Sequence, residues 1–106
     1  MTFKLIDVYY EIDGIPQTDD GSPACALKFR NEAVALTEGA IEAAGLGELD
    51  GAEIGSREIN FGFEVTDFDK AEQLIRDTLV DTKFSNYRAI IRSEWDDDAV
   101  LNLAAN

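Results

Sequence analysis

The side chains able to do chemistry in this chain are carboxylates, a few arginines and tyrosines, and a single cysteine; there is no histidine. Without imidazole there is no Ser-His-Asp or Cys-His machinery, no usual zinc site and no general base that titrates near neutral pH. Cys25 lies in the apolar run Ala24–Phe29, where a free cysteine is expected to act as a small hydrophobe. The glycines form no phosphate cradle: Gly45-Leu46-Gly47 lacks a third glycine and follows a helical pattern instead of opening one. No catalytic residue, metal site or cofactor is expected on these grounds.

Carboxylates are abundant, so grouping is what matters. Asp96-Asp97-Asp98 and Asp19-Asp20 are the densest runs. Neither has the alternating acids, central glycine and distant glutamate of a calcium loop, and Leu27 stands where that glutamate belongs. A different grouping follows from strand alternation. Asp7, Tyr9 and Glu11, with Glu58, Asn60 and Glu64, are expected to share one sheet surface with Arg88, Ile90 and Arg92. Its plain reading is cross-strand ion pairing, at most about 1 kcal/mol per pair. The sharper reading is a binding platform with Asp7 among its acids, Tyr9 as aromatic anchor, and Arg88 and Arg92 as forks for carboxylate or phosphate. Trp95, beside the acidic run, is expected at a core edge or an interface, forming an apolar patch with Val100, Leu101 and Leu103.

The elements that must position these residues follow from periodicity. Ile6, Val8, Tyr10 and Ile12 alternate with Asp7, Tyr9 and Glu11, the pattern of a strand with one buried face. Asp13–Pro23 has loop composition. Ala24–Phe29 reads as a short second strand, and Asn31 as the cap of a helix carrying Val34, Thr37, Ile41 and Ala44 on one stripe and ending at Gly45. A brief strand is expected at Ala52–Ile54. Ile59, Phe61, Phe63 and Val65 mark the best-patterned strand. A second helix starts at Thr66 or Asp67 and runs to about Asp81. Alternation returns over Tyr87–Trp95, and Ala99–Ala105 suits a short terminal helix. This order predicts one α+β domain over residues 1–106: an antiparallel sheet of four to five strands with two helices on one face, closest to the ferredoxin-like split βαβ arrangement, plus the C-terminal helix.

Charge bounds the partners. With 22 acids against 9 bases the formal net charge is −13, a field that repels nucleic-acid phosphates and anionic membranes. No nucleic-acid or membrane partner is therefore expected, and a basic protein is the compatible one. A lone cysteine, the lack of an N-terminal leader pattern and the absence of a long apolar run together predict a cytoplasmic protein. Three functions fit to different degrees. A non-enzymatic acidic interaction module, such as an immunity- or antitoxin-like protein for a basic partner, fits best. A small-ligand or regulatory domain, binding between the outer sheet face and Asp13–Pro23, is the alternative. An enzyme using carboxylates, Tyr9 or Arg92 alone fits least. A small open-faced sheet also commonly dimerises, so a homodimer is compatible with the pattern.

Overall fold

The computed structural model describes residues 2–12, 23–55 and 57–96. Strand β1 (Thr2–Glu11) is followed by helix α1 (Pro23–Ala43), strands β2 (Gly47–Ile54) and β3 (Glu58–Val65), helix α2 (Phe68–Leu79) and strand β4 (Ala89–Asp96). The four strands form one antiparallel sheet in the order β2-β3-β1-β4. The strand nearest the N-terminus therefore lies at the centre beside β3, and the last strand lies at an edge.

Alternation dictates which face is covered. Ile6 pairs with Phe63, Val8 with Phe61 and Tyr10 with Ile59, and all six side chains are fully buried. Against them pack Phe29, Ala33 and Ile41 of α1 and Ala71, Ile75 and Leu79 of α2. Both helices thus lie on one side of the sheet. Small alanines let the helices approach closely, while the aromatic and branched aliphatic side chains supply the buried apolar area. Tyr10 meets Phe29 edge-on at 5.2 Å and donates its hydroxyl to the Phe84 carbonyl at 2.7 Å, which satisfies the one polar atom it carries into the core. Burial, with Tyr87 nearby, raises the pKa of that hydroxyl.

Helix α2 begins where its sequence signal lies. Asp67 is the N-cap, its Oδ1 accepting from the Lys70 amide at 3.0 Å. At the other helix end, Gly45 has φ +67°, and its backbone amide donates to the Glu42 carbonyl as the chain turns into β2.

Three expectations are corrected. Ala24–Phe29 is the first part of α1, so among the described residues the sheet has four strands. Pro23 opens the helix, a position where its missing N–H costs nothing and its fixed φ favours the helix. Asn31 accordingly lies inside α1, hydrogen-bonded to Arg30, and is not a cap. The strand expected at Ala52–Ile54 begins earlier, at Gly47. The expected loop over residues 13–22 and the C-terminal helix over Ala99–Ala105 lie outside the described residues.

Candidate functional site

With both helices on one side, the opposite face of the sheet is open among the described residues. Residues paired across the strands share a face. Leu5 pairs with Glu64, Asp7 with Gly62, Tyr9 with Asn60 and Glu11 with Glu58. On the other flank of β1, Phe3 pairs with Trp95, Leu5 with Ser93, Asp7 with Ile91 and Tyr9 with Ala89. Beyond β3, Gly51 stands opposite Gly62 and Glu53 opposite Asn60. This open face therefore holds an apolar part, formed by Phe3, Leu5 and Ile91, and a carboxylate part beside it. Ile91 is 46% exposed, unusual for an isoleucine in a strand.

Asp7 is the centre of the carboxylate part. Its side chain lies over Gly62, in the volume a β-carbon there would occupy. That packing leaves the carboxylate half-buried, and no described residue donates a hydrogen bond to it. Burial raises its pKa first, and the neighbouring charges of Asp50 and Glu53 raise it further. Asp50 reaches this position because the β2–β3 register slips between Leu49 and Gly51, a bulge that adds one residue and re-aims the side chain. Asp50 and Glu64 then flank a depression of about 300 Å³ whose other walls are Phe3 and Leu5.

Tyr9 stands on this face as its alternation with Val8 and Tyr10 predicts. Burial and then Asp7 and Glu58 raise its hydroxyl pKa, against a lowering by Arg88. The Arg88 guanidinium lies 5.7 Å from the Tyr9 ring centre, 2.5 Å from Glu58 and 4.0 Å from Glu11. Arg88 precedes β4, and its amide donates to the Tyr9 carbonyl at 2.7 Å. It is the one base whose described contacts lie on this face, and the acids beside it already occupy it.

Arg92 is on the other side. It pairs with the buried Ile6, and Ile90 pairs with the buried Val8. The Arg92 Nε donates to Glu72 at 2.9 Å and its Nη1 lies 3.1 Å from Asp69, both on α2. Glu72 also accepts from Arg76, which donates in turn to the Tyr87 hydroxyl. Burial works to raise the Glu72 pKa, but the hydrogen bonds from Arg76 and Arg92 outweigh it and hold the pKa low. Arg92 therefore ties β4 to α2. It forms no fork with Arg88, and the platform of Tyr9, Arg88 and Arg92 does not assemble. Trp95 is paired with Phe3 at the end of β4, and its expected patch with Val100, Leu101 and Leu103 lies outside the described residues. The cleft expected against Asp13–Pro23 does so as well.

Sequence periodicity misses two contributors. Asp50 arrives through a bulge, which no period reveals. The apolar part joins Phe3, Leu5 and Ile91 through the β1–β4 register, which sequence spacing does not encode. Among the described residues no group of three or more His, Cys, Asp or Glu is arranged to hold a metal ion, and no helix is long and apolar enough to cross a membrane. No protein-family model, curated protein or solved structure matches the chain.

Proposed function

We propose that the protein is a non-enzymatic acidic binding module whose open sheet face receives a cationic, amphipathic segment of a protein partner. The depression between Phe3, Leu5, Asp50 and Glu64 carries this reading. Lysine and arginine have long apolar stems that prefer apolar surface and charged heads that prefer carboxylates. An apolar floor with acids at its rim suits such a side chain better than it suits an anion or a wholly apolar group. Asp7 adds a half-buried carboxylate with no donor among the described residues, which suits it to a guanidinium. The net charge of −13 draws a basic partner from a distance. An immunity- or antitoxin-like role toward a basic protein is the specific form of this proposal. The βαββαβ order and the two helices on one face support a ferredoxin-like architecture as its scaffold.

Isothermal titration with an extended peptide of alternating arginine and leucine tests the reading. Saturable one-to-one binding is expected, weakening at least about tenfold as salt rises from roughly 20 mM to 200 mM. Asp50→Asn combined with Leu5→Ser should abolish it. Binding that ignores both substitutions would refute the proposal.

A further inference from the structure

The open face is not the only unpartnered surface of the sheet among the described residues. Among the described residues, strand β4 pairs with β1 on one side only, so its other edge presents backbone donors and acceptors along eight residues. Edges of this kind are usually blunted by bulges, glycine-rich irregularity or charge. Both edge strands carry three charged residues in eight, all acidic in β2 and of both signs in β4, but only β2 has a register slip, at Leu49/Gly51. β4 has no bulge; its register with β1 runs unbroken from Ala89 to Asp96.

From this contrast we infer that β4 pairs antiparallel with β4 of a second copy of the chain, around a two-fold axis at Ser93, forming a continuous eight-stranded sheet. Within β4, Ser93 is the one centre that sets a cation opposite an anion and opposes no like charges. Centred on Ser93, Arg92 faces Glu94 of the second copy, and Glu94 faces its Arg92. Ile91 falls opposite the position of Trp95, and only the outermost pair, Ile90 with Asp96, is mismatched. Centring on Arg92 would oppose two arginines, and centring on Glu94 two glutamates. The ion-pair partners are ready. Glu94 is exposed and makes no ion pair with a described residue. Arg92 uses Nε and Nη1 on α2, which leaves Nη2 donors of its five-donor fork for a third acid. The axis is perpendicular to the sheet, so all four helices lie on one side and the two open faces become one surface.

Seven residues of edge pairing make a small interface compared with the roughly 1,200–2,000 Å² of stable complexes. The dimer therefore exchanges with monomer as concentration changes. Each copy also carries −13. This mutual repulsion outweighs two exposed ion pairs, so screening favours association, up to the ionic strength where the Debye length is about 8 Å. Self-association should strengthen with salt, whereas capture of a cationic segment on the open face should weaken. Failure of one is thereby distinguishable from failure of the other.

Sedimentation equilibrium on the full chain, up to roughly millimolar protein, tests this inference. A reversible monomer–dimer equilibrium is expected, with the dimer fraction rising as salt goes from about 10 mM to about 150 mM. Glu94→Arg, at an exposed position, should weaken association at least about tenfold by opposing four cations at the axis; Glu94→Gln should fall between it and the parent. Arg92→Glu should likewise be monomeric alone, yet pair with Glu94→Arg when the two are mixed, because each facing pair is then again of opposite sign. A parent chain that stays monomeric throughout, or a dimer indifferent to Glu94→Arg, would overturn the inference. So would a folded Arg92→Glu that fails to pair with Glu94→Arg.

Discussion

Among the described carboxylates, Asp7 is the one that burial and neighbouring charge hold above its ordinary range. A carboxylate lying over Gly62, between Asp50 and Glu53 and without a described donor, is held in place by the sheet at some cost in stability. The direction of its pKa fixes the sign. Because the folded-state pKa is raised, the fold favours the protonated form. That contribution is fully present below the ordinary aspartate range and is lost as pH rises through the raised value. Asp7→Asn should therefore stabilise the protein at neutral pH, by at most about 1 kcal/mol given how exposed the group remains. The gain should vanish near pH ~3, where aspartate is protonated in both states. Urea unfolding at the two pH values checks this, and an equal shift at both would contradict the assignment. The face of Asp7 and Tyr9 was legible because polar residues alternate strictly with Ile6, Val8 and Tyr10. That of Arg92 was not, since Ile90 and Ile91 are both apolar and alternation cannot say which side is buried. Only the pairing of Arg92 with Ile6 settles it.

Among the elements, α1 shows where local pattern competes with tertiary packing. The run Ala24-Cys25-Ala26-Leu27-Lys28-Phe29 suits a short buried strand as well as a helix, since periodicity over six residues is ambiguous. The structure resolves it through Pro23 at the first helical position and through a buried stripe of Ala26, Phe29, Ala33, Thr37 and Ile41 at spacings of three and four. Because that stripe is mostly small residues, it is a weak sequence signal. Phe29 supplies much of its burial, with ring contacts at 5.2 Å to Tyr10 and 5.0 Å to Phe84. Phe29→Ala is expected to cost about 3–5 kcal/mol, measured by chemical denaturation with the slope unchanged. A cost under about 1 kcal/mol would mean that this part of α1 is not docked on the sheet. Strand β3 and helix α2, by contrast, carry strong patterns and a capping aspartate, and both lie where sequence periodicity puts them.

At the scale of the whole molecule, one sheet face is open among the described residues, and the distribution of charge decides what that face can accept. Many of the acids have local work: Asp67 caps α2, Glu72 joins two arginines, and Glu58 and Glu11 hold Arg88. The acids around the apolar floor, Asp7, Asp50, Glu53 and Glu64, have no basic partner among the described ion pairs. Net charge alone says only which partners are repelled; the position of these four against Phe3 and Leu5 is what points to a cationic amphipathic one. The most direct test is backbone amide chemical-shift mapping while the arginine–leucine peptide is titrated into the labelled protein. Perturbations are expected at Phe3, Leu5, Asp7, Asp50 and Glu64, with the outward faces of α1 and α2 unchanged. Shifts centred on the helices, or spread evenly over the acidic surface, would contradict it.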